Sequence, residues 1–236
     1  MRNAISIDLE EWFHPEVLRG RFQTSEWPSL QARAPQVVDR LLEILAEAEV
    51  SATFFVLGWV AERHPELVPR LVAAGHEVAS HGYSHAMITQ QTPEEFDRDL
   101  RRSLDILRQQ SGQAVTGYRA PSFSIMRQTL WAFDIMIEHG IEYDSSIYPV
   151  HHDRYGIPEA PRQPYRVARR GEVELWELPP PTLRLGNKNL PVAGGGYLRL
   201  FPYAVTSFAL RRLNAQGIPG IVYTHPWEFD CDQPRV

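Results

Sequence analysis

Short apolar runs alternate with amphipathic stretches along most of this chain. That alternation restricts it to parallel strands joined by crossover helices, an α/β architecture. Strands are expected at residues 4–7, 53–57, 77–80, 116–119, 142–145, 174–178 and 220–224, seven in all. Helices fit residues 36–48, with Pro35 in the first turn, then 59–64 and 66–74, the last ended by Gly75. Thr92, Pro93 and Glu95 form a capping-box signature for a helix running to about Gln110. Further helices fit 129–139, closed by Gly140, and 203–216, closed by Gly217. A chain of 236 residues is ample for one α/β domain, so a single domain over 1–236 is expected.

Chemistry-bearing residues gather where these strands end. His81 and His85 are four apart after the third strand, a spacing that on a helical turn would put both imidazoles on one face, within reach of one metal ion. Asp8, Glu10 and Glu11 close the first strand, Arg119-Ala120-Pro121 follows the fourth, and Thr224-His225 follows the last. Such groups at strand ends point to a site at one end of a sheet or barrel. The reading is a metal-dependent hydrolase.

Composition removes other classes. Hydrophobic residues at 43% and charged residues at 22% are ordinary for a globular protein. A net charge of -5 favours neither nucleic acid nor an anionic membrane as partner. Cys231 is the single cysteine and lies away from the other candidate groups, which argues against a catalytic thiol. No stretch approaches the roughly 18 apolar residues of a membrane span. The first strand begins too early for a secretion signal of about 7–15 apolar residues, so the chain is expected to be cytoplasmic.

Taken in order, Ser6-Ile7-Asp8-Leu9-Glu10, His81-x-x-x-His85, Arg119-Ala120-Pro121, Asp144-Ser145-Ser146 and Thr224-His225 resemble the successive motifs of the polysaccharide deacetylases, the NodB-homology domain of carbohydrate esterase family 4. Glu10-Glu11-Trp12-Phe13, Gly195-Gly196-Tyr197-Leu198-Arg199 and His225-Pro226-Trp227-Glu228 look most like the branch associated with exosortase A and exopolysaccharide gene clusters. The resemblance implies a distorted (β/α) barrel of about seven parallel strands. It implies hydrolysis of N-acetyl or O-acetyl groups on an acetylated glycan, or on its lipid- or nucleotide-linked precursor. It also implies a divalent metal, Zn²⁺ first, with Co²⁺, Ni²⁺ or Mn²⁺ suited to the same ligands. Relatives of that branch continue with another helical segment, which leaves a C-terminal truncation open.

By the same resemblance Asp8 is the general base, Arg119 its holder, and His225 the acid, with Asp144 pairing with His225 and raising its pKa. His81 and His85 are metal ligands. The Ser122 N–H binds the oxyanion; many relatives carry an aromatic side chain at this position, and here the nearest one is Phe123. Leu9 occupies the place of the usual metal-binding second aspartate. Glu10 is the expected substitute, because strand period two puts Asp8 and Glu10 on one face; Glu11 or Asp8 as the third ligand stays open. Trp176 and Trp227 are candidates for an acyl pocket or sugar platform, with core packing the other reading of Trp176.

The Pro-rich stretch 148–170 reads as a long irregular loop of functional character, and Gly194-Gly195-Gly196 as a turn. His14, His151 and His152 are expected at the rim of the site, while His64 and His139 suit helix C-termini. Two rivals share these residues: a cyclic-amide hydrolase, and a catalytically silent carbohydrate-binding barrel.

Overall fold

A computed structural model of the chain describes residues 2–234. Its eight-stranded sheet is strongly curled into a half-barrel, in the order β10-β1-β2-β3-β4-β5-β7-β6. These strands are β1 Ala4–Leu9, β2 Thr53–Val56, β3 Glu77–Ser80, β4 Gly117–Tyr118, β5 Tyr143–Asp144, β6 Tyr165–Arg170, β7 Val173–Glu177 and β10 Ile221–Thr224. The seven expected strands are the seven that pair in parallel, from β10 across to β7.

The eighth corrects the expected loop at 148–170. Tyr165–Arg170 pairs antiparallel with β7 at the sheet edge, with a register shift between Arg166 and Ala168. Three of its six positions, Arg166, Arg169 and Arg170, are exposed arginines, so no apolar alternation marks it, as suits an edge strand. The sheet ends at β10 and β6, an open curl in which, among the described residues, no closing pair joins the edges.

Period two along the strands sorts the residues. Ile7 and Leu9 enter the main core with Phe54 and Val56 of β2. The alternate residues Ser6, Asp8 and Phe55 face the other side, where all three contact Arg119. The helices cover the core side. α1, Ala34–Glu47, buries Val37, Val38, Leu41 and Leu45, an i, i+4, i+8 stripe. α2 is Gly58–Arg63 and α3 is Leu67–Ala73. α4, Pro93–Ser111, starts in the expected capping box: Thr92 accepts from Glu95 N–H, and Glu95 accepts from Thr92 N–H at 2.8 Å. That reciprocal cap contributes about 1 kcal/mol. α5 is Ala132–Glu138, shorter than expected because residues 127–129 form a separate 3-10 turn.

Between β7 and the helix expected at 203–216 the chain builds elements that the sequence pattern does not show. β8 Thr182–Leu185 and β9 Lys188–Pro191 form a separate two-stranded hairpin. α6, Gly195–Leu200, then precedes α7, Tyr203–Asn214.

Candidate metal centre and active site

Four strand ends and one loop converge on a cavity of about 270 Å³ lined by Asp8, Glu10, His81, His85, Ser122 and His225 among others. Five expected site residues, Asp8, Glu10, His81, His85 and Arg119, are almost wholly buried. Burying so much charge is costly unless the groups are paired, and the pairing defines the site.

Glu10, His81 and His85 each offer a ligand atom, and these atoms lie within 4.8 Å of one another. His81 Nδ1 lies 2.8 Å from the carbonyl of Arg119, which can only accept, so Nδ1 carries the proton and Nε2 keeps its lone pair for the site. Burial pushes the His81 imidazole down to about 4, keeping it neutral near pH 7, the form a metal takes. Glu10 Oε2 makes no hydrogen bond although His85 Nε2 is 2.6 Å away. A buried carboxylate oxygen crowded against an imidazole nitrogen without a bond between them fits two donors aimed at a shared cation. Burial alone would raise the Glu10 carboxyl, but His85, then His225 and His81, hold it well below the usual carboxylate range.

The histidine pair does not sit on a helical turn, contrary to the spacing argument. It lies in an irregular loop after β3, folded back by left-handed backbone at Gly82 (φ 74°) and His85 (φ 54°). Asp99 of α4 holds this loop. Its Oδ2 accepts Tyr83 N–H at 2.7 Å, and its Oδ1 accepts Ser84 N–H at 3.0 Å and the Ser84 hydroxyl. A Cβ on Gly82 would press within 3.0 Å of Asp99 Oδ2, so this position has both a conformational and a steric reason to be glycine.

Beside the metal ligands stands Asp8. Arg119 Nη1 donates to Asp8 Oδ1 at 2.6 Å and to Ser6 Oγ at 2.9 Å. Its Nη2 and Nε donate to Ser145 Oγ and Ser145 O at 2.9 and 3.2 Å, and its Cζ lies 4.0 Å from the centre of the Phe55 ring. Every face of the guanidinium is engaged, so it holds one orientation. Following it, Ser122 (φ 54°) and Phe123 (φ 53°) adopt left-handed backbone and line the cavity.

His225 faces the site from the end of β10. Its Nε2 is 3.8 Å from both Asp8 Oδ2 and Glu10 Oε1. Asp144 is not its partner, which corrects the expectation. Asp144 is fully buried, accepts from Ser146 Oγ at 2.5 Å and stands opposite Glu177 on β7. Ser146 Oγ also accepts Ala120 N–H at 2.7 Å, so Asp144 supports the turn that carries Arg119. Glu228 takes the place beside the histidine: its Oε2 lies 3.5 Å from His225 Nδ1 and accepts His225 N–H at 2.9 Å. Burial alone would lower the His225 imidazole; Glu228 first, then Glu10 and Asp8, raise it above its ordinary value. Trp227 stacks on His225 at 4.5 Å and 18°, and its Nε1 donates to Glu10 Oε1 at 3.3 Å, so it braces both residues as well as lining the cavity.

Other expectations divide. Glu11 is no ligand: its carboxylate accepts the N–H groups of Arg33 and Ala34 and caps α1. His14 is not at the rim but buried among Phe13, Trp27 and Trp59, its Nδ1 accepting Glu11 N–H. His152 does line the cavity, with Arg154 and Tyr155 from the same Pro-rich stretch. Trp176 is 43% exposed and lines neither cavity nor core. His139 Nε2 lies 2.7 Å from Asp97 Oδ1 on α4, a surface tie. The triple glycine is not a plain turn: a Cβ on Gly195 would sit 1.6 Å from Glu228 Oε2, so the close approach of α6 keeps Glu228 in place.

Residues 28–143 match the polysaccharide deacetylase family, and residues 145–236 match a domain of unknown function, DUF3473. The chain is 33% identical over 116 residues to a peptidoglycan deacetylase of Helicobacter pylori, a match covering 49% of this chain and 38% of that protein. It is 28% identical over 163 residues to a chitooligosaccharide deacetylase of Rhizobium leguminosarum bv. trifolii, covering 66% of this chain and 72% of that one. A Mycobacterium smegmatis structure described as a polysaccharide deacetylase superposes with a TM-score of 0.63 at 23% identity, over 96% of this chain and 78% of that chain. At that identity the likeness is one of fold.

Proposed function

We propose that this chain, a NodB-like polysaccharide deacetylase domain continued by a DUF3473 segment, hydrolyses acetyl groups, N-acetyl before O-acetyl, on a glycan. The observation that carries the reading is the buried Glu10–His81–His85 cluster set directly beside the Asp8–Arg119 pair and His225. A divalent ion, Zn²⁺ by preference, held by Glu10, His81 and His85 would polarise the acyl carbonyl and make water acidic enough to attack near neutral pH.

The protein's own groups do the rest. Asp8, fixed through Oδ1 by Arg119, presents Oδ2 to the cavity and takes the proton of the attacking water. The N–H of Ser122 donates to the oxygen of the tetrahedral carbon as charge develops there. His225, whose protonated form Glu228 favours, delivers its proton to the departing nitrogen as the C–N bond breaks. The products are acetate and a free amine. Asp144 acts at one remove, through Ser146 and the Arg119 turn.

The exosortase-type motifs around Glu10, Tyr197 and Trp227 support an exopolysaccharide, or its lipid- or nucleotide-linked precursor, as the glycan. The assay is a panel of N-acetylated oligosaccharides, O-acetylated sugars and five-membered cyclic amides with metal-loaded protein. Release of acetate from N-acetylated sugars with the cyclic amides untouched supports the reading. Ring opening without acetate release would assign the cyclic-amide reaction instead, and inertness toward all three would leave a carbohydrate-binding barrel.

A further inference from the structure

A second cavity, of about 540 Å³, opens beside the catalytic one between residues 149–158 and the β8–β9 hairpin. The two cavities share His152 and Tyr155, whose rings stack at 3.9 Å and 11°. The hairpin is tied down there. Asn189 Nδ2 donates to the carbonyl of Pro149 at 2.7 Å and reaches that of Pro158 at 3.4 Å, bridging hairpin and loop with one side chain. Its size lies within the roughly 300–1,000 Å³ of small-molecule sites.

The charge of this cavity is one-sided. Arg184 and Lys188 line it, and among the described residues no carboxylate does. Arg184 spends its donors on neutral acceptors, Nε on Gly186 O and Nη1 on Asn189 Oδ1. Arg162 stands close by, bonded to Thr182 O, and burial together with the like charge of Arg184 holds its guanidinium below the ordinary value. The sequence carries the same imbalance. From Leu178 to Trp227 there is no Asp or Glu, against Arg184, Lys188, Arg199, Arg211 and Arg212, in a chain of net charge -5. Lys188 is the only lysine. Neighbouring like charges without a counter-ion repel, and a bound anion relieves the repulsion.

We infer that this cavity is a second subsite that takes an anionic group, a sugar carboxylate or a phosphate ester, on the part of the glycan next to the residue being deacetylated. The inference rests on the deacetylase reading for its placement on the glycan, but its own requirement is charge-selective binding. The Tyr155–His152 pair and Tyr197 supply flat faces for the sugar, while Arg184 and Lys188 supply the charge.

Calorimetric titration tests it with two pairs of probes: tetra-N-acetylchitotetraose, which is neutral, against a hyaluronan tetrasaccharide, which alternates N-acetylglucosamine with glucuronate; and N-acetylglucosamine against N-acetylglucosamine 1-phosphate. The expected result is about tenfold tighter binding of at least one anionic probe than of its neutral counterpart, lost in R184Q/K188Q. Whichever anionic arm gains identifies the source of the charge. Neither variant position touches the catalytic cavity, and the melting temperature of R184Q/K188Q checks its fold. Acylation of Lys188 by an amine-reactive ester gives a readout on the unmutated protein, with the preferred anionic probe slowing it severalfold. Equal affinities for anionic and neutral probes in the parent, or an anionic preference that survives R184Q/K188Q, overturns the inference. Absence of acetate release from every probe would instead sink the deacetylase reading, since binding is measured without turnover.

Discussion

Glu228 Oε2 reaches both the backbone N–H and the side chain of His225, at 2.9 Å and 3.5 Å to N and Nδ1. One carboxylate thereby fixes where the imidazole points and favours its charged form. Replacing it by Gln keeps an acceptor for the backbone and removes the charge. Glu228→Gln is expected to lower the His225 pKa, so the proton donor is lost at lower pH and the alkaline limb of kcat/KM moves toward acid. Gly195→Ala, which crowds the same carboxylate, should produce the same displacement. A pH–rate profile that is unchanged in Glu228→Gln contradicts this role.

The loop that carries His81 and His85 depends on Asp99, which accepts both Tyr83 N–H and Ser84 N–H. Asp99→Ala frees three donors and lets the left-handed segment relax. Metal affinity, measured by competition with a chromogenic chelator, should fall about 10–100-fold, the usual effect of removing a support behind a ligand. An unaltered affinity in a folded variant would show that the loop holds itself.

Arg119 makes four hydrogen bonds in fixed directions, and Lys can reproduce the charge but not the fork. Arg119→Lys is expected to cost about a hundredfold in kcat through misplacement of Asp8. Arg119→Met, which leaves Asp8 buried without a cation, should also cost about 3–5 kcal/mol of stability, read from denaturant melts.

Asp144 and Glu177 face each other across β5 and β7, both wholly buried. Burial pushes Asp144 up to about 6, and burial with the Asp144 charge pushes Glu177 higher, so the folded pair retains a proton. Carboxyls raised on folding stabilise most below their unfolded pKa of about 4 and lose that contribution as pH rises through the folded value. The pair's contribution should therefore decline as pH rises from about 4, through about 6 for Asp144 and beyond that for Glu177. Glu177→Gln removes the like charge and should flatten that part of the stability–pH curve relative to the parent. Parallel curves would contradict the shared proton.

The features legible in the sequence are those with a strict period or a short-range mechanism. Alternation along β1 placed Asp8 and Glu10 toward the site and Ile7 and Leu9 in the core, and Thr92-Pro93-Glu95 marked the start of α4. The motif residues Asp8, Arg119, His81, His85 and His225 converge as their order along the chain suggested. Spacing misled where left-handed residues, rather than a helix, turn the backbone, as at Gly82 and His85. It also could not reveal partners brought together by the fold from afar: Asp99 beneath the histidine loop, Phe55 under Arg119, and Glu177 beside Asp144. Glu228 is different. It lies three residues past His225 and closes a local bond, a signal that the i, i+3 spacing carried but that the family comparison with Asp144 obscured.

The proposed reaction is metal-dependent, with Asp8 as base. Its most direct measurement is acetate release from tetra-N-acetylchitotetraose by protein loaded with one equivalent of Zn²⁺, run beside chelator-treated protein and Asp8→Asn. The loaded parent is expected to release acetate, to lose this on chelation and recover it when metal is added back, and Asp8→Asn to fall at least about a hundredfold with metal still bound. Release that persists at the parent rate in Asp8→Asn, or in fully chelated protein, would contradict it.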